Sequence, residues 1–247
     1  MKNRKNFLPG IFTALNIFCG FLAIIKISEG KFITGCWLIV LAGIFDTLDG
    51  RLARLIKSAS NFGVEFDSLA DVISFGLAPS ILLYYIYFKN FNELGLIVSF
   101  SPLIVGAVRL ARFNIQLSGF EKTNFSGLPI PIAAMSIVSF VIFNYYFWNE
   151  IHLTRVLIPQ IVVICLLMIS TIEYETLPKM TFKAGRKNSS QFILLLVGFI
   201  ILILFPQETF YPLCVSFILW GVVRSLYRLL KQEKTDDAKV LKKTVKT

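Results

Sequence analysis

A chain of 247 residues that is 55% hydrophobic, 14% aromatic and only 16% charged, with a mean hydropathy of +0.70, is too apolar for a soluble domain. Such domains run at about 45–50% apolar and roughly 25% charged. The net charge of +10 would suit a nucleic-acid partner only if Lys and Arg gathered on one solvated face. Here they sit in short links between apolar runs, the pattern that orients membrane helices, so no nucleic acid is expected.

Eight runs come near the ~20 residues a helix needs to cross hydrocarbon: roughly 11–28, 32–50, 64–88, 94–115, 130–148, 154–172, 191–206 and 209–227. They are continuously apolar rather than alternating, which excludes a β-barrel. The fold class is therefore an all-α integral membrane protein with about eight transmembrane helices. With alternate links assigned to opposite sides, the N-terminus, the links after runs 2, 4 and 6, and the C-terminal tail hold 21 of the 25 Lys and Arg. Only Lys26, Lys31, Lys89 and Arg155 fall on the other side. Both termini are expected in the cytoplasm of a cell whose cytoplasmic membrane holds the protein. The basic start MKNRKNFLPG leads into membrane-length runs, not into a small-residue cleavage site, so no cleavable signal peptide is expected.

Cys19, Cys36, Cys165 and Cys214 stand singly in apolar runs and read as small core- or lipid-facing residues. The one histidine, His152, lies in a short polar link. No repeat divides the chain. Residues 1–227 read as one membrane-embedded domain, and 228–247 as a charged cytoplasmic tail that also touches anionic lipid headgroups.

The stretch from Asp46 to Asp71 breaks the apolar pattern. It places Asp46, Asp49, Asp67 and Asp71 at the ends of the second and third runs, with the spacing D-x2-D-G-x2-A-R-x8-G-x3-D-x3-D. An ionisable side chain there costs about 3 kcal/mol unless it has a partner or a function. Asp46 and Asp49 are i and i+3, and Gly63, Asp67 and Asp71 are i, i+4 and i+8, so each set shares a helix face. Two such faces meeting across the connection would crowd four carboxylates, whose repulsion is relieved by cations. An all-oxygen donor set selects Mg²⁺ or Mn²⁺ over Zn²⁺, and a pair of such ions is a known device for in-line phosphoryl chemistry. Glycines beside the carboxylates let a nucleotide or diphosphate approach the backbone, and Arg54 can meet phosphate oxygens bidentately.

Two other readings bear on this stretch. One or two aspartates at helix ends are ordinarily plain interfacial residues, but four at this spacing with interleaved glycines fit that poorly. Clustered membrane carboxylates also line cation transporters, whose sites lie near the midplane rather than at one edge.

At these residues the sequence resembles the CDP-alcohol phosphatidyltransferase family, whose signature is filled here by Asp46, Asp49, Gly50, Ala53, Arg54, Gly63, Asp67 and Asp71 without a departure. NFLPGIFTALNIFCGF, SNFGVEFDSLADVISFGLAP, VRLARFN and FSGLPIPIAA resemble the subgroup that uses serine as acceptor. The resemblance implies a six-helix core with two added C-terminal helices, usually in a homodimer. It implies that Asp46, Asp49, Asp67 and Asp71 hold two Mg²⁺ or Mn²⁺ ions, with Asp67 and Asp71 catalytic and Asp71 the base. Gly50, Arg54 and Gly63 would line CDP-diacylglycerol, with Thr13 and Asn16 beside them. Arg109 and Arg112, i and i+3 at the cytoplasmic end of the fourth run, would with Asn114 and Asn124 bind serine, Ser126, Lys183 and Arg186 being further contacts; ordinary positive-inside anchoring is the other reading of the two arginines. The implied reaction is CDP-diacylglycerol plus L-serine giving phosphatidylserine and CMP. The same transfer to glycerol phosphate or inositol phosphate remains open, because the eight-residue signature does not exclude those acceptors.

Overall fold

The structure is a computed structural model that describes residues 7–56, 61–117, 127–172, 174, 201–202 and 204–244. Among them every regular element is helical. Helix α1 spans Phe7–Ser28 and α2 Phe32–Ile56. α3 spans Asn61–Asp71 and runs without a break through a π-helical segment, Val72–Leu77, into α4, Ala78–Ile86. A short 3-10 turn, Phe88–Phe91, leads into α5, Asn92–Leu117. α6 spans Ile130–Trp148, α7 Thr154–Ile169 and α8 Pro206–Thr244.

Among the described residues, six helical stretches are long and apolar enough to cross a membrane: Gly10–Ser28, Phe32–Leu52, Phe62–Ile86, Phe88–Ile115, Ile130–Trp148 and Pro206–Arg228. The protein is thus an all-α multi-pass membrane protein. The expected sixth span, 154–172, is a helix of only 16 residues, because the chain leaves helical geometry at Ser170, whose backbone is extended. Most of the expected seventh, 191–206, lies outside the described residues. α8 continues in helical form through most of the expected tail, to Thr244. Residues 228–244 contain no Gly or Pro to stop it.

α6 occupies the middle of the bundle. Its run of Ala133, Ala134, Ile137, Val138, Phe140 and Val141 is at most 2% exposed, and it packs against α2 and α8. A helix apolar on every side is one surrounded by other helices or lipid. Because lipid tails are as apolar as leucine, helix association here depends on close packing and on polar contacts between helices. One such contact joins three helices: Gln160 of α7 donates to the carbonyl and hydroxyl oxygens of Ser136 on α6, both at 3.0 Å, and accepts from Tyr211 of α8 at 3.2 Å. Pro102 inside α5 has no N–H for the carbonyl of Val98, and the hydroxyl of Ser101 takes that oxygen instead, at 2.8 Å.

The turn between α1 and α2 is closed by Gly30 at φ +76 and by Glu29, which accepts from Lys31 at 2.9 Å and Lys26 at 3.0 Å. These two ammonium groups, Lys31 foremost, hold the Glu29 carboxyl below its usual range. At the same edge of the bundle the end of α6 is dense in aromatics. His152 stacks on Trp148 with ring centroids 5.2 Å apart, which gives the single histidine an interfacial packing role.

Candidate active site

The site forms where α2 ends and α3 begins. α2 runs past the expected boundary at residue 50 to Ile56, since nothing in GRLARLI breaks a helix after Gly50. Asp46 and Asp49 therefore project from an intact helix rather than from a fraying end. α3 brings Asp67 to them from the other side. One ligand oxygen from each of Asp46, Asp49 and Asp67 lies within 4.8 Å of the others. Asp71, one turn along from Asp67, stands outside that triplet and is 8% exposed.

The carboxylates differ in how they are held. Asp49, 5% exposed, accepts a hydrogen bond from the hydroxyl of Thr13 on α1 at 2.6 Å. The short distance is that of a charge-assisted O–H···O⁻ bond. One oxygen of Asp67 and one of Asp71 are buried without a hydrogen-bond partner. Three converging carboxylates, two orphaned buried oxygens and no nitrogen or sulfur donor in the group together fit a hard divalent cation. Gly50 lies beside this cluster, with open space where a Cβ would stand, as a close approach of substrate to the backbone requires. Gly63 is exposed at the start of α3. The backbone of Arg54 is part of α2, while its side chain and that of Ala53 fall outside the described residues.

Deeper in the bundle, two polar side chains from two helices border the inner end of the cluster. Asn16 of α1 is fully buried beside the Asp71 carboxyl, with neither amide atom in a close hydrogen bond. Arg109 of α5 is 9% exposed, lies within electrostatic reach of Asp71, and leaves its Nε without an acceptor. Its guanidinium carbon sits 5.9 Å from the centre of the Phe113 ring.

The expected acceptor residues separate in the fold. Arg109 faces the interior, whereas Arg112, one helical turn on, is exposed. Asn114 is tied to α3, donating to Ser68 at 3.0 Å and to Glu65 at 3.2 Å, so it pins α5 against the motif helix. Asn124, Ser126, Lys183 and Arg186 lie outside the described residues. Of the FSGLPIP stretch, Gly127, Leu128 and Pro129 are described, and they dock on the end of α7. Leu128 N–H donates to the Leu167 carbonyl at 2.9 Å, and Gly127, at φ +57, lies against the carbonyls of Met168 and Ser170. That segment's packing role was not expected from the sequence, although a glycine ahead of Leu-Pro is a signal for a tight turn.

A membrane-embedded bundle that gathers oxygen ligands from two spans at one edge defines a polytopic protein built around an acidic, cation-binding site. The profile of the CDP-alcohol phosphatidyltransferase family matches residues 6–223. The chain belongs to that family, whose members are generally metal-dependent. Among curated proteins it is similar to the CDP-diacylglycerol–serine O-phosphatidyltransferase of Helicobacter pylori, 39% identical over 224 residues, or 90% of this chain and 92% of that protein. It is also similar to the archaetidylserine synthase of Methanothermobacter thermautotrophicus, 41% identical over 171 residues, 68% of this chain and 69% of that one. A third relative, from Methanocaldococcus jannaschii, is again named CDP-diacylglycerol–serine O-phosphatidyltransferase and is 42% identical over 172 residues, 69% and 74% of the two chains.

Proposed function

We propose that this protein transfers the phosphatidyl group of CDP-diacylglycerol to the hydroxyl of L-serine, giving phosphatidylserine and CMP. The observation that carries the transfer chemistry is the meeting of Asp46, Asp49 and Asp67 from two spans, with Asp71 one turn beyond. The choice of serine is supported by the names of relatives that align with most of this chain.

Asp46, Asp49, Asp67 and Asp71 would hold two Mg²⁺ or Mn²⁺ ions, which neutralise diphosphate charge and polarise the phosphorus toward attack. Thr13 fixes the carboxylate of Asp49 through its hydroxyl. Gly50 and Gly63 admit the cytidine diphosphate to the helix backbone, and Arg54 and Asn16 complete the contacts to CDP-diacylglycerol. Asp71 takes the proton of the serine hydroxyl as the new bond from serine oxygen to phosphorus forms and the bond from phosphorus to the CMP oxygen breaks. Its burial keeps bulk water from competing for the same phosphorus. Arg109, buried within electrostatic reach of Asp71, receives the carboxylate of serine, with Arg112 and Asn124 as further contacts.

The same reading places the site on the cytoplasmic face of the cytoplasmic membrane, where soluble serine and a lipid-linked nucleotide meet. The Lys and Arg asymmetry of the links supports both termini on that face. Eight spans, with the six-helix core followed by two more, a membrane domain over 1–227, a cytoplasmic tail over 228–247 and a homodimer complete the proposal.

The test is release of CMP by the purified protein in detergent, with CDP-diacylglycerol, Mg²⁺ or Mn²⁺, and serine, glycerol phosphate or inositol phosphate in turn. CMP with serine alone, abolished by a chelator and by Asp67→Asn or Asp71→Asn in folded protein, is the expected result. CMP with a different alcohol overturns the choice of acceptor. Undiminished turnover in both aspartate variants overturns the site.

A further inference from the structure

A side-chain to main-chain hydrogen bond ties the first and third spans together close to Asp71. Ser74 lies three residues after Asp71, inside the π-helical segment, and is fully buried. A hydroxyl buried in a membrane helix commonly returns to its own helix, as those of Ser99 and Ser101 do to the carbonyls of Gly95 and Val98. Ser74 instead crosses to α1 and donates to the main-chain carbonyl of Asn16 at 2.9 Å. Gly20, one turn beyond Asn16, permits this. A Cβ at residue 20 would run into the Ser74 hydroxyl and stand 2.9 Å from the Ser74 Cα, so the two backbones touch.

The π segment gives that contact a task. Ala78 N–H bonds to the carbonyl of Ile73, five residues back, so the chain takes one more residue than an α-helical turn. One residue is about 100° of helical rotation. The segment therefore offsets the face carrying Asp67 and Asp71 from the face that buries Phe75, Ala78 and Leu82 in the core. Ser74 ties that wide turn to α1, at the residue whose side chain lies at the inner end of the site.

We propose that Ser74, seated against Gly20, is a positioning residue that sets the Asp71 carboxylate relative to Asn16 and to the Asp46, Asp49 and Asp67 group. It acts through the π segment and touches neither substrate. The proposal rests on the reading of Asp71 as part of the reacting site.

The test measures kcat, the KM for each substrate, and folded yield by size exclusion for Ser74→Ala, Ser74→Cys, Gly20→Ala and Asp71→Asn. Ser80→Ala serves as control, a buried serine further along the same span whose hydroxyl has no partner. Ser74→Ala and Gly20→Ala are expected to lower kcat on the order of 10- to 100-fold with both KM values unchanged. Ser74→Cys should fall between them and the parent, and Ser80→Ala should match the parent. A parental kcat in Ser74→Ala beside an inactive Asp71→Asn overturns the positioning role alone, and turnover in Asp71→Asn overturns the site reading beneath it. If neither Ser74 variant yields folded protein, the residue is structural and the proposal fails.

Discussion

Thr13→Val tests whether the site depends on how its carboxylates are held. The substitution keeps the branched shape of the side chain and removes only the hydroxyl that donates to Asp49 at 2.6 Å. Thr13 and Asp49 are 4% and 5% exposed, so water cannot replace the lost donor cheaply. A buried hydrogen bond to a charged acceptor contributes about 1.5–3 kcal/mol. At about 1.4 kcal/mol per factor of ten, that converts to a loss of roughly 10- to 100-fold. This matches the usual cost of removing a residue that orients a metal ligand. The loss should appear as a rightward shift in the Mg²⁺ or Mn²⁺ concentration giving half-maximal CMP release, with activity largely recovered at saturating metal. Thr13→Ser, which keeps the hydroxyl, should titrate like the parent. An unshifted metal curve for Thr13→Val would refute the view that α1 tunes the acidic cluster through Asp49.

Two further substitutions probe the elements around the cluster. Arg109→Gln should raise the KM for serine about tenfold or more while leaving that for CDP-diacylglycerol unchanged, measured by CMP release with each substrate varied, because a buried charge-assisted contact is lost. Gly127→Ala should lower thermal stability in detergent by about 1–2 kcal/mol or more, since alanine is strained at φ +57 and its methyl would meet the Met168 carbonyl. The remaining activity per folded molecule should be parental if that segment serves packing alone.

How much of this was legible in the sequence depends on distance along the chain. The helical membrane class follows from continuous apolar runs, because a bilayer core accepts no unsatisfied backbone and leaves long runs only one local solution. The carboxylate faces follow from spacings of three and four residues, which are properties of one helix turn. Both were readable, and α2 and α3 carry them. The length of α7 was less so, since the run 154–172 is apolar throughout and only the extended backbone at Ser170 ends the helix. The π segment was likewise hidden, because one extra residue in an unbroken apolar run leaves no mark on the pattern.

The amino-acid sequence by itself determined that this protein is a bundle of membrane helices with a family-specific set of aspartates at one edge. Only the tertiary structure decided which groups surround them. Thr13 reaches Asp49 across 36 residues and Ser74 reaches Asn16 across 58. Asn114, expected at the acceptor, hydrogen-bonds Ser68 and Glu65, while Arg109 is buried within electrostatic reach of Asp71. Spacing fixes the face of a helix on which a side chain stands, but the rotation of that helix against its neighbours is set by close packing and a few polar contacts between spans. These leave no periodic trace in the chain.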